Sequence, residues 1–270
     1  MGRKIPVGAT ALVTGASSGI GREFARALAA MGINVLLVSN QDKELTDTAA
    51  MLSAAYPGLR FTTLFKDLSE PDAATALLGF CASEGIDVDI LINNAGIFNF
   101  NEITGTSAER LNLYIDLHVR AVTQLSRAFA LDMMRRGCRG YILNMSSMSC
   151  WMPFPGIGAY SSTKAYIRVL SRTMHYELRD HGVSVMVACP GGIATDLFGL
   201  PKKLQRLAVR LGVLAEPDKF ARRALKRLFG HRKQYINGLL NRISIVVVST
   251  MPTPVIMWAK RQLLSRYATK

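Results

Sequence analysis

The 270-residue chain is poor in cysteine: it has four, and no two of them form a C-x-x-C pair. Cys81, Cys138, Cys150 and Cys189 lie far apart, which excludes a disulfide frame or a zinc site and reads as buried thiols of a reducing compartment. No metal ligand set is therefore expected. A Gly/Ser linker and internal repeats are also missing, so one domain is expected. The start of the chain is short and polar before the first apolar run, which predicts no signal peptide, and Pro6 stands where a myristoylation motif needs Ser or Thr. The apolar stretch 243–258 has sixteen residues broken by Pro252 and Pro254, short for a membrane span. Acidic residues almost vanish toward the end: 201–270 hold 16 Lys/Arg against Glu216 and Asp218, whereas 1–200 hold 17 of each sign. The whole net charge of +14 thus sits in the last quarter, which predicts an acidic partner there.

What is present is a chain 49% hydrophobic and 19% charged, ample for a buried core and unlike a disordered segment. Apolar runs at 9–13, 33–38, 60–65, 88–92, 140–145 and 183–188 read as strands. Amphipathic patterns at 19–31, 42–54, 71–84, 107–136 and 159–180 read as helices between and after them. Such alternation predicts an α/β, Rossmann-type doubly wound parallel sheet with helices on both faces. Beyond Leu200 come two basic helical patterns, 202–211 and 218–229, a short strand at 234–237 and an apolar, basic tail. The expected division is a Rossmann domain at 1–238, with a substrate lid at about 197–230, and an extension at 239–270.

Three local patterns carry chemistry. Thr14-Gly15-Ala16-Ser17-Ser18-Gly19-Ile20-Gly21 follows the first strand and opens the first helix. Glycines there allow a tight turn and close backbone approach, and a helix N-terminus offers free N–H groups to a pyrophosphate. In Tyr160-Ser161-Ser162-Thr163-Lys164, four residues make about one helical turn, so phenol and ammonium share a face. A cation so near favours phenolate and predicts a Tyr160 pKa drawn down toward neutrality. Ser147 ends the fifth strand region, thirteen residues before Tyr160. Ser146, Ser149, Ser161 and Ser162 lack that spacing and read as structural hydrogen-bonders.

Together with Asn93-Asn94-Ala95-Gly96 after the fourth strand and Pro190-Gly191 after the sixth, these motifs resemble the short-chain dehydrogenase/reductase superfamily over roughly residues 8–198. The resemblance implies a nicotinamide dinucleotide across the carboxyl ends of the strands. It places Gly15, Ser17, Ser18, Gly19, Ile20 and Gly21 at the phosphates, Asp67 and Leu68 at the adenine, and Asn94, Ala95 and Gly96 on the adenosine floor. Pro190, Gly191, Ile193 and Thr195 would follow at the carboxamide and phosphates. Ser147, Tyr160 and Lys164 become the catalytic group: Tyr160 passes the proton, Ser147 holds the oxygen, and Lys164 binds the nicotinamide ribose. Where NAD-preferring members carry an acid, this chain has Ser39-Asn40-Gln41, which favours NADP(H) over NAD(H), although the arginine common at Asn40 in NADP-preferring members is missing. Members usually carry Asn where this chain has His118, a residue that would either relay protons or simply pack.

Ile97, Phe98 and Phe100, then Trp151, Met152, Pro153 and Phe154, and finally Leu197 to Leu200 are apolar and contain no Lys or Arg. This predicts a small lipophilic substrate: a 3-oxoacyl chain, a 3-ketosphinganine-like base or a steroid. Two rival readings are an NAD-dependent alcohol or hydroxysteroid dehydrogenase and a non-catalytic dinucleotide-binding sensor or scaffold. The basic tail suits peripheral contact with an anionic membrane surface, and its lack of zinc spacing or a recognition helix argues against nucleic acid. A homodimer through the two long helices is expected, in the cytoplasm or on the inner face of a membrane.

Overall fold

The computed structural model describes residues 8–194, 202–210 and 214–267. Seven strands form one parallel sheet: β1 (Thr10–Thr14), β2 (Asn34–Ser39), β3 (Phe61–Phe65), β4 (Val88–Asn93), β5 (Gly140–Met145), β6 (Val183–Ala188) and β7 (Gln234–Tyr235). Their order is β3-β2-β1-β4-β5-β6-β7, so the chain reverses direction across the sheet between β1 and β4. The interior strands are buried on both faces, which is why they read as unbroken apolar runs.

Strand alternation divides those side chains between two cores. Ala11, Val13, Val35 and Leu37 pack under α1 (Gly19–Ala29), α2 (Asp42–Ala55) and, later in the chain, the helix Pro217–Phe229, through Phe24, Leu28, Leu52, Phe220 and Leu225. Leu12, Leu36, Leu91 and Ile142 face the other way. There they meet Leu77 of α3 (Ala73–Ser83) together with Leu125, Phe129 and Met133. The doubly wound sheet is thus the one the strand–helix alternation predicts.

The long helix expected at 107–136 is three pieces. α4 (Ala108–Tyr114) runs into a π-helical segment (Ile115–Ala121) and then α5 (Val122–Arg135). A π-turn keeps the backbone helical while changing residues per turn, so the apolar pattern alone does not show it. It lets Tyr114 and His118 meet α6 (Gly158–Glu177), while Leu125 and Phe129 join the sheet core.

Two basic helices follow, α7 (Lys202–Arg210) and α8 (Pro217–Phe229). β7 stops at Tyr235, short of the expected 237, because Asn237 turns to accept a hydrogen bond from the Gly191 N–H at 2.8 Å. α9 (Leu239–Ser249) and α10 (Thr253–Tyr267) close the described chain and meet at 109°. All four cysteines are free thiols.

Candidate active site

A cleft of about 500 Å³ opens at the carboxyl ends of the strands, where β1 separates β2 from β4. That is where an open parallel sheet leaves room for a ligand. The turn after β1 forms its floor. Gly15 has φ 63°, a left-handed conformation, and a side chain on Gly21 would stand 2.1 Å from the Gly15 carbonyl oxygen. Neither position tolerates a Cβ, so the turn depends on both glycines. Asn94 braces it: its Nδ2 donates to the Thr14 carbonyl at 3.0 Å, while the Asn94 and Ala95 N–H groups donate to Thr14 Oγ1. α1 starts without a side-chain cap and without an acid in its first turn. Its first amides are therefore left for an anion, and Ser18, Gly19 and Ile20 line the cleft beside them. These residues fit a dinucleotide phosphate.

At the far rim the hydroxyl of Ser39 is buried and donates to Ser17 Oγ at 2.9 Å. It braces the turn, and Ser39 also lines the cleft beside Asn40 and Gln41. Asn40 hydrogen-bonds the Asp67 carboxylate, which Ser69 also holds, and these bonds outweigh burial to set Asp67 below the usual carboxylate range. Leu68 lines the cleft from its buried position. Lys66, which carries no motif signal in the sequence, lines the same rim and is ion-paired to Glu70 and Asp72.

Ser147, Tyr160 and Lys164 come together from β5's end and α6. The Ser147 oxygen accepts from the Ser149 N–H at 3.2 Å, which leaves its proton for the Tyr160 phenol oxygen, its hydrogen-bond partner. Lys164 is buried; its Nζ donates to the Met145 carbonyl at 3.0 Å and lies 5.6 Å from the centre of the Tyr160 ring. Burial pushes the Tyr160 phenol up to about 12, against the depression expected from the sequence, and the Ser147 bond offsets only part of this. The same desolvation brings Lys164 down to about 7. Removing both groups from water disfavours both charged forms, and that effect exceeds the attraction between them. Tyr160 therefore stands as a phenol. Ser146 is structural, donating to the Lys164 carbonyl at 2.7 Å, but the buried hydroxyls of Ser149 and Ser161 have no hydrogen-bond partner among the described residues.

His118 is fully buried on the π-segment. Its Nε2 accepts from the Ile97 N–H at 3.1 Å, so the ring proton sits on Nδ1, facing Thr163 Oγ1 at 3.0 Å. Thr163 Oγ1 in turn donates a hydrogen bond to the Tyr160 carbonyl at 2.9 Å. Burial, then the charges of Lys164 and Arg110, hold the imidazole neutral, with a pKa well below the usual value. Both ring nitrogens are thus occupied by protein groups. A side chain on Gly96 would meet His118 Nε2 at 2.9 Å and Lys164 Nζ at 3.5 Å, so the Asn94-Ala95-Gly96 loop closes tightly over both.

Phe98 stacks edge-on against Tyr160 at 5.0 Å, and Tyr114 and His118 surround the same ring at 6.4 and 5.8 Å. The loop behind Phe98 is joined to the one before α6 by the Asn101 N–H to the Gly156 carbonyl, 2.8 Å. Trp151 packs against Val122, Ile167 and Val187, with the Arg168 guanidinium 4.5 Å from its ring centre, so it is a packing residue. Arg110 also reaches these apolar loops, donating to the Phe98 carbonyl at 3.4 Å. On the opposite wall Pro190 lines the cleft, and a side chain on Gly191 would strike Asn241 at 2.3 Å. Ile193 buries its side chain in the core and pairs with Ala215, leaving only backbone groups to a ligand. Thr195 and all of Leu197 to Leu200, the start of the expected lid, lie outside the described residues, as does all of 211–213.

Comparison with known proteins agrees with this geometry. The family model for short chain dehydrogenase matches residues 9–203. Carbonyl reductase [NADPH] 2 of Sus scrofa is 31% identical over 90% of this chain and 92% of its own length. The very-long-chain 3-oxoacyl-CoA reductase of Phaeosphaeria nodorum is 32% identical over 83% of this chain and 64% of its own. The chain spans only 31% of another relative, an oxidoreductase EphD of Mycobacterium tuberculosis, at 34% identity over 68% of this chain. Among solved structures, a short-chain dehydrogenase from Sphingobium yanoikuyae in complex with NADPH superposes with TM-score 0.76 at 27% identity, covering 95% of both chains. The bulky-bulky ketone specific alcohol dehydrogenase of Comamonas testosteroni gives 0.74 at 25%, covering 93% of this chain and 96% of that one. With the motifs, the sheet order and the family match in agreement, the chain belongs to the short-chain dehydrogenase family.

Proposed function

We propose that the protein is an NADP(H)-dependent oxidoreductase that reduces the keto group of a lipophilic substrate. The observation that carries this reading is the buried, protonated Tyr160, bonded to Ser147 and ringed by Phe98 and Tyr114 at the edge of the cleft above the glycine turn. A nicotinamide held in this cleft would supply the hydride for the carbonyl carbon. Tyr160 gives its phenolic proton to the carbonyl oxygen, and Ser147 donates a hydrogen bond to that oxygen as charge develops on it. Lys164, charged below about pH 7, stabilises the phenolate left behind and holds the cofactor ribose. His118 fixes the Ile97 amide and Thr163 and so positions Tyr160. Gly15 through Gly21 and the first turn of α1 hold the phosphates, with Asp67, Leu68 and Asn94 to Gly96 around the adenosine.

NADP(H) is favoured over NAD(H) because no carboxylate occupies Ser39–Gln41. The apolar loops around Tyr160 favour a bulky or long-chain ketone, and 3-oxoacyl chains, long-chain keto bases and steroids share that chemistry. The names of the NADPH carbonyl reductase, the very-long-chain 3-oxoacyl-CoA reductase and the bulky-ketone dehydrogenase point the same way. We also propose a homodimer through α5 and α6, whose Leu131, Tyr166, Val169 and Tyr176 are exposed. The test of the activity is a panel of acyl, sphingoid, steroid and sugar ketones with NADPH and NADH. A preference for NADPH and for the lipophilic ketones is expected, and faster turnover of sugars or with NADH would reject the reading.

A further inference from the structure

α9 is inside out. A helix on a water-exposed surface turns its apolar stripe inward and its polar face to solvent. Here the inward positions are Asn241, Ser244, Ile245 and Val248, the first two polar, and Asn241 donates to the Asn237 carbonyl at 2.7 Å. The outward positions are Leu239 (70% exposed), Leu240 (71%), Ile243 (51%), Val246 (61%) and Val247 (54%). α10 continues the surface with Val255, Met257 and Trp258, all exposed. Large apolar patches of this kind mark an interaction site.

The hairpin is anchored to the active-site mouth at both ends. Asn237 and Asn241 clamp the Pro190-Gly191 wall, and α9 rests on the Met148–Trp151 turn that follows Ser147. From the other side Lys260 of α10 pairs with Glu102 at 2.5 Å, in the loop that carries Phe98. The apolar face therefore lies next to the entrance of the cleft.

We propose that α9 and α10 dock the enzyme on an anionic lipid bilayer, lying in its interface and presenting the cleft to substrate dissolved there. Charge selects this occupant. The segment 201–270 has 16 Lys/Arg and two acids, so an acidic leaflet attracts it, whereas a second copy placed face to face would repel it. Arg242 and Arg261 are exposed on the hairpin itself, and Trp258 is the residue type that bilayer interfaces favour. The bend argues for lying in the interface rather than crossing. Eleven residues of α9 reach about 16 Å, half a bilayer core, and among the described residues no single helix is long and apolar enough to cross; α9 and α10 reach that length and composition only as a pair, and they meet at 109°. Docking explains why a site for lipophilic ketones carries a basic, apolar rim. In that respect it rests on the proposed function.

The test is flotation of the full chain with phosphatidylcholine vesicles with and without phosphatidylserine, beside the double variant Val246→Asp/Val247→Asp. Wild type should float with the anionic vesicles at low salt, and at least about tenfold less with neutral ones or in about 1 M salt, where screening reaches about 3 Å. The variant should lose at least about tenfold in flotation while keeping its sedimentation mass and its NADPH turnover of a short, water-soluble ketone. No flotation at low salt, equal flotation of the variant, or equal binding to neutral vesicles would overturn the proposal. A lower mass in the variant would also overturn it, by showing that a second copy covers the face. Flotation without turnover of any ketone would instead reject the activity and leave the docking standing.

Discussion

At the scale of the residue, the site works through desolvation. Tyr160 is kept protonated by burial, which suits a proton donor, and Lys164 is brought to the edge of neutrality by the same means. The sign of the pH effect follows. The ammonium is present below about 7 and lost above it, so kcat/KM for reduction, which reports the free enzyme, should fall as pH rises through about 7. A flat profile from about pH 6 to 9 would contradict this assignment, and Lys164→Met should give a low rate without that limb. His118 belongs to the same scale. Its ring stays neutral, so replacing it should leave the shape of the pH profile unchanged. His118→Leu strands the Ile97 N–H and should cost about 2 kcal/mol in denaturant unfolding, along with much of kcat. His118→Asn, which restores an acceptor, should recover most of both; a shifted pH profile in either variant would revive the proton relay. Ser147, Tyr160 and Lys164 were legible in the sequence because their spacing is the chemistry. The state of the phenol was not, because helical spacing brings a cation near but says nothing of how much water is excluded.

At the scale of the element, two local conformations set the site. The glycine turn was legible from its position between an apolar strand and an amphipathic helix, and the structure adds its brace, Asn94 and Thr14. Gly21→Ala would push a methyl group into the Gly15 carbonyl and the Asn94 amide, opening the turn. NADPH affinity should fall at least about tenfold, about 1.4 kcal/mol, in a fluorescence titration, and unchanged affinity would mean the phosphates bind elsewhere. The π-segment was not legible. Its extra residue leaves the apolar pattern readable as one helix, yet it is what brings Tyr114 and His118 to Tyr160. The strand ends were legible to within about two residues, with β7 cut short by the side chain of Asn237. Ser39 has a second role that its strand-end position does not show: it lines the cleft, and its hydroxyl also donates to Ser17.

At the scale of the whole molecule, the chain divides into a charge-balanced sheet domain and a basic final quarter, and the fold wraps the second back onto the mouth of the first. Composition revealed the asymmetry of +14 but could not show that α9 would rest against Gly191, since that contact joins residues about 50 apart in sequence. The proposed dimer belongs here as well. Val169→Asp, at an exposed position on α6, should shift the sedimentation mass from dimer to monomer, and an unchanged mass would place any interface elsewhere. The central claim concerns the reaction, in which cofactor turn, proton donor and apolar mouth act together. Its most direct test is NADPH consumption by the pure enzyme on a long-chain 3-oxoacyl substrate, wild type against Tyr160→Phe. Ketone-dependent consumption by the wild type is expected, with a loss of about a hundred- to ten-thousand-fold in the variant and unaltered NADPH binding. Equal rates in the two proteins, or NADPH binding without consumption on any ketone, would contradict the account.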